Sequence, residues 1–267
     1  MGEGFRLYLR LMSAQIRSQM QYKMSFLMEF ASTFMGMILE FASVIILFIH
    51  MPTLDGWSLA EVAFLYGSAE FAMALSQTLT SGFDVFPETV RLGKFDSVLI
   101  RPRNAMFQVF ASELAIRRFG RAAQGAVVLA VSIWWMGIDW GVAEWSVLAI
   151  MILGGMVFFT GLFIIGATFS FWTVEGLEAM NILTYGGVTM VAYPMSIYAE
   201  WMRNIFIFII PLAFVNYYPS LFLLKKADPF GLPEFMPFLS LPLCSLVLVA
   251  SLIFWHIGVK RYQSTGN

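Results

Sequence analysis

GFDVFPETVRLGKFDSVLIRPR, residues 82–103, separates two long apolar runs and carries both signs of charge, two prolines and an internal glycine. Pro87 suits the first turn of a short helix, where its missing N–H costs nothing, and Glu88 suits that helix's positive end. Arg91 suits the negative end, and Gly93 can close the helix in the left-handed conformation. The segment predicts a rigid polar knob on an apolar protein, a shape suited to touching a soluble partner. A polar connection between two spans has the same composition, since charged loops flank many spans.

Outward from this loop the chain is overwhelmingly apolar. Of 267 residues, 59% are hydrophobic and only 12% charged, with 27 Phe and 8 Trp, so most of the surface is suited to lipid. Apolar runs bounded by charge or turn signals predict six transmembrane helices at 25–49, 59–81, 119–138, 146–171, 179–198 and 238–259. The fold class expected is therefore an all-α integral membrane protein, with the membrane domain over 25–259. Little chain is left for a folded soluble domain. The polar lead before the first span and the lack of a small-residue cleavage pattern after it predict that this span is retained.

Basic residues orient the spans. With the N-terminus inside, 13 of the 16 Lys and Arg lie inside: four before the first span, seven between Arg91 and Arg121, and Lys260 and Arg261. Only Arg203, Lys225 and Lys226 lie outside. The excess predicts cytoplasmic termini, with a short tail at 260–267. Trp57, Trp140 and Trp145 then mark the outer interface.

Residues 1–24 read as an interfacial amphipathic helix. Phe5, Tyr8, Leu9, Met12, Ile16 and Met20 share one face, with Arg6, Arg10, Ser13 and Arg17 beside it. Leu7 and Leu11 fall off that stripe, so both lipid and protein can be its neighbour. Glu113, Arg117, Arg118 and Arg121 recur at helical spacing, which predicts one helix over 104–121 protruding below the third span. Snorkelling of the arginines at the interface is the competing reading. Seven of the ten prolines lie between Pro194 and Pro242, and Pro211 interrupts the apolar run from Ile205 to Val215. A straight span is disfavoured there, so 200–233 is expected to form an outer re-entrant segment. A seventh crossing at 204–224 would leave the basic count unchanged.

Two acids lie deep in apolar runs, Glu40 and Glu70. Each is about ten residues, roughly 15 Å of helix rise, from the outer end of its span. Two readings fit: a protonated or hydrogen-bonded pair, with Gln77, Gln124 or Asn181 as partners, or a polar patch in a translocation pathway.

Enzyme motifs are absent. His50 and His256 form no H-E-x-x-H helix, there is no G-x-S-x-G turn, and Cys244 is a lone cysteine in an apolar run. The Gly93-Lys94 pair lacks the glycines of a phosphate loop, so ATP hydrolysis would have to come from another chain. No metal or cofactor is expected on this chain. A carboxylate enzyme built on Glu40 or Glu70 is the one enzymatic alternative.

Gly93, Phe95, Asp96, Leu99, Arg101 and Pro102 spell G-x-F-D-x-x-L-x-R-P, and YPMSIYAEWMRNIFIFIIPLAFVNYYPSLFLL at 193–224 is rich in tyrosine and proline. Together with six spans, an N-terminal amphipathic helix and a knob between spans two and three, this resembles the small bacterial branch of the type-2 ABC transporter permeases. The resemblance implies a permease of the bacterial inner membrane. It would act in an ATP-driven exporter, with a second permease, identical or sister, and two ATPase subunits that bind ATP and Mg. It also implies that 82–104 is a coupling loop, with Glu88, Arg91, Lys94, Asp96 and Arg101 contacting or bracing the ATPase. Glu40 and Glu70 become candidates for the pathway between permeases. No nucleic-acid partner is implied. A secondary carrier or channel subunit, with a loop that merely connects helices, is the alternative.

Overall fold

The computed structural model describes residues 2–19, 21, 23–115, 118–173, 181–233 and 235–264, and these are helical with no strands. An amphipathic helix, α1 (Gly2–Gln19), precedes the long α2 (Lys23–His50). A tight turn with positive φ at Asp55 and Gly56 reverses the chain through paired Leu54 and Trp57 into α3 (Leu59–Leu79). Ser58 starts α3 with a capping box: its hydroxyl accepts from the Glu61 N–H, and the Glu61 carboxylate accepts from the Ser58 N–H at 2.7 Å. After α3 come four short helices, α4 (Ser81–Asp84), α5 (Phe86–Arg91), α6 (Phe95–Leu99) and α7 (Ala105–Phe110). The chain then re-enters the bundle as α8 (Phe119–Met136), ends that helix on Gly137 at φ +60°, and returns as α9 (Val142–Phe169).

Small residues let the helices close. A Cβ on Gly67 would stand 2.6 Å from the Leu129 backbone nitrogen, and one on Gly125 would stand 2.7 Å from that of Phe71. These reciprocal clashes show α3 and α8 crossing backbone against backbone, the arrangement that small residues permit in lipid. The last helix, which will be called α14 (Ser240–Arg261), packs along α9, with Gly161 facing the Leu248 backbone.

Between α9 and α14 the chain is broken. A π-turn at Ile182–Gly186 leads into α10 (Gly187–Val191), then α11 (Glu200–Asn204), α12 (Leu212–Val215) and α13 (Tyr217–Leu223). The helical stretches Glu200–Ile209 and Leu212–Leu223 meet at a 68° bend around Pro211. Asn216, fully buried, fastens the bend. Its amide donates to the carbonyls of Leu65 and Val191 at 2.8 and 2.9 Å, and its side-chain oxygen accepts from the Ser68 hydroxyl at 2.8 Å. One side chain thereby joins α3, α10 and α13, which satisfies polar groups that would be costly to bury alone.

Among the described residues, four helices are long and apolar enough to cross a membrane: Phe30–His50, Leu59–Leu79, Val142–Phe169 and Met236–Arg261. The bent pair raises the number to five if it is one crossing. The third expected span, 119–138, coincides with helix α8, which is less apolar than these four because Arg121 and Gln124 occupy its first turns. Of the expected fifth span, 179–198, residues 181–198 are described, and the apolar helix within them runs only ten residues, Ile182–Val191, before the chain breaks ahead of Pro194; the start of that expectation, at 179, lies outside the described residues.

The continuous helix expected over 104–121 is not formed. Helix α7 stops at Phe110 and the chain leaves helical geometry over 111–115. Tertiary hydrogen bonds compete with the helix there. Gln15 of α1 donates to the carbonyls of Ala111 and Ser112 at 3.2 and 2.8 Å, and the Ser81 hydroxyl accepts from the Ala115 N–H. The expected Glu113–Arg117 pair involves Arg117, which lies outside the described residues.

The two ends of the bundle are identified by cross-links in the fold. At the loop end, α1 meets 111–114 and Ser264 meets Asp96. At the far end, Lys226 reaches the Gly56 carbonyl and the Glu61 carboxylate, both at 3.0 Å, and the Trp140 indole donates to the Leu223 carbonyl.

Candidate functional site

The loop 82–104 is a packed knob with an apolar inner face and a mixed outer face. Pro87 lies in the first turn of α5, and Gly93 stands at φ +66° between α5 and α6. Phe86 and Phe95 are turned inward and buried, their rings edge to face at 5.1 Å. Both meet Phe171, just past α9, and Trp255 of α14, at centroid distances from 5.0 to 6.5 Å. Such edge-on pairs add to the area the rings bury. The knob is thus held to the ends of two long helices that are remote in sequence.

At its root the backbone allows no side chain. A Cβ on Gly82 would lie 1.9 Å from the Val109 carbonyl oxygen, so α4 and α7 touch backbone to backbone. Gly82→Ala is expected to push α7 away and cost roughly 1–3 kcal/mol, the usual price of overpacking. A melting temperature in detergent equal to that of the parent would contradict this.

The outer face carries charge. The Glu88 carboxylate accepts two hydrogen bonds from the Arg91 guanidinium, at 2.6 and 2.8 Å, and both side chains are exposed. These bonds hold the Glu88 carboxyl below its ordinary value, so the pair is intact at neutral pH and is lost as pH falls through that lowered value. Lys94 and Arg101 are exposed beside it, together with Leu92, Leu99 and Ile100, the last 84% accessible. Asp96 differs from the other four expected residues. It turns toward the C-terminal tail and accepts from the Ser264 hydroxyl at 2.6 Å.

Above the knob runs a second charged row. Arg118 binds Asp84 and donates to the Gln77 carbonyl at 3.1 Å; Arg121 meets the Gln77 side chain at 3.4 Å and the Glu70 carboxylate at 3.7 Å. Burial pushes the Asp84 carboxyl up and Arg118 pulls it back. Arg118 and Arg121 are therefore tied to α3 and α4, where snorkelling would have taken them outward.

Glu40 and Glu70 do not form a hydrogen-bonded pair. Glu70 is buried against Arg121, whereas Glu40 is exposed on α2, within electrostatic range of Glu70, Tyr66 and Tyr193. Of the partners expected for them, Gln77 joins Arg121, and Gln124 lies beside Tyr66. Asn181 instead lines a small cavity with Asp84 and Thr184. A larger cavity of about 600 Å³ opens at the far end, walled by Tyr218, Phe222, Lys225, Leu232 and Phe238.

Asn216 and the Asp96–Ser264 bond escaped the sequence. An asparagine after an apolar run signals a stop, not three buried partners, and the Asp96 partner is 168 residues away.

A family model described as ABC-2 family transporter protein matches residues 34–266. No curated protein and no solved structure matches the chain.

Proposed function

The chain belongs to the ABC-2 transporter family as a membrane-embedded transport component, and from that premise we propose that it is the permease subunit of an ATP-driven exporter. In this reading a separate ATPase subunit hydrolyses ATP with Mg, and its motion enters the permease through the loop 82–104. The observation that carries the reading is the two-faced knob. Its inner aromatic rings grip α9 and α14, while Arg91, Leu92, Leu99, Ile100 and Arg101 are left open at one end of the bundle. A passive connection has no need of that anchorage. A rim of charge around apolar side chains is the make-up of a protein docking patch.

The complete transporter would pair this chain with a second permease, identical or sister, in the bacterial inner membrane. We take six crossings, with the bent pair at 200–223 returning to the outer side. The far-end ties of Lys226 and Trp140, and the loop-end ties of α1 and Ser264, favour that count over seven. The pathway residue proposed is Glu40, with Glu70 supporting it in charge balance with Arg121.

Ile100 tests the docking. Ile100→Asp alters an exposed side chain and should leave permease yield unchanged while abolishing copurification of the ATPase subunit. Retention of the ATPase at parent stoichiometry would remove the knob as the docking site.

Topology has its own test. In a Cys244→Ser background, a cysteine at Lys225 should react with an impermeant thiol reagent in intact cells, and one at Arg103 should react only after lysis. The reverse pattern would invert the orientation.

A further inference from the structure

The loop is joined covalently only to α3, through α4, and to α8, through α7. Its buried aromatic contacts are elsewhere. Phe95 meets Trp255 of α14 and, at 5.0 Å, the Tyr262 ring just beyond it. Helix α14 ends at Arg261, Tyr262 adopts extended geometry, and the tail folds back across α6. There the Ser264 hydroxyl donates to the Asp96 Oδ2 at 2.6 Å, within the range of a charge-assisted O–H···O⁻ bond. The Tyr262 hydroxyl faces the same carboxylate; burial first, then its hydrogen bonding and charge interaction with Asp96, push the Tyr262 pKa up. Asp96 sits in the first turn of α6, the short helix that also displays Leu99 and leads directly to Ile100. The Asp96–Ser264 bond thus adds a polar tie to the aromatic contacts that join the docking face to the end of the last helix.

We propose that the C-terminal tail is a working part of this loop: Asp96 latches Ser264 so that displacement of α5 and α6 is delivered to α14 as well as along the chain to α3 and α8. Asp96 is a positioning residue in this account and does not itself touch the ATPase. The inference rests on the coupling reading above and deepens it by naming the route into the last helix. Without the latch, α14 is driven only through the rings of Phe86 and Phe95 against Trp255 and Tyr262.

The test uses the full permease with its ATPase subunit and compares ATP turnover per complex with that of the ATPase alone. Asp96→Ala and Ser264→Ala should each lower the permease-dependent part by about threefold to tenfold, the effect of losing one solvent-exposed hydrogen bond. The double variant should match Asp96→Ala, because the Ser264 bond is already lost once Asp96 is gone. Ser264→Thr keeps a hydroxyl donor and should retain parent turnover, which a purely steric role for the tail does not predict. ATPase occupancy should be unchanged throughout. Parent-like turnover in the alanine variants, or losses that add in the double variant, would overturn the latch. Loss of the ATPase from Asp96→Ala would also overturn it, by showing that Asp96 is a docking contact. A parent permease that holds no ATPase would instead sink the coupling reading itself.

Discussion

Arg121→Ala is expected to destabilise the folded permease by roughly 1–3 kcal/mol, at or below the range for breaking a buried ion pair, because a buried carboxyl left without its partner can take up a proton. The low value also follows because a quarter of the Arg121 side chain stays exposed and the Glu70 contact is 3.7 Å long. The loss comes from Glu70 more than from Arg121. Its side chain is only 4% exposed, and without the guanidinium its charge has no counterion among the described residues. Glu70→Gln alone should be much milder, because the amide keeps size and hydrogen-bonding capacity without charge. The double variant Glu70→Gln, Arg121→Ala should recover part of what Arg121→Ala loses. Thermal unfolding of the four proteins in one detergent checks this. Equal melting of Arg121→Ala and parent, or a double variant worse than Arg121→Ala, would remove the pair from the account.

The knob was legible in the sequence because its signals are local. Pro87 in the first turn, Glu88 three residues before Arg91 and Gly93 at positive φ all lie within one short segment, and each stands where its chemistry places it. The apolar runs located the long helices for the same reason. What sequence could not show is tertiary. The helix expected at 104–121 breaks because Ser81 and Gln15, distant in sequence, bind the backbone of 111–115. The arginines at 118 and 121 read equally well as snorkelling or paired, and only the approach of α3 to α8 at Gly67 and Gly125 brings Glu70 within reach. Glu40 and Glu70 counted to the same depth, but depth does not fix which way a helix face turns. In α2 that face is exposed, and in α3 it is buried.

The site follows the same division. Glu88, Arg91, Lys94 and Arg101 are on the outer face as their charge suggests, since no other element among the described residues draws them inward. Asp96 is drawn inward by a tail that no spacing rule connects to it.

The central claim, that the outer face of the knob receives an ATPase, is tested most directly by exchanging Glu88 and Arg91. In the double variant Glu88→Arg, Arg91→Glu the two side chains can still pair at i, i+3, so the helix is kept, with a small penalty for placing charge against its dipole. The charge pattern shown to a partner is reversed. Like charges brought together in an interface cost several kcal/mol, so ATPase binding and permease-dependent ATP turnover should fall by about tenfold or more. Permease yield and melting should stay at parent values. If the exchanged complex binds its ATPase and turns over ATP like the parent, the outer face of the loop is not where the two proteins meet.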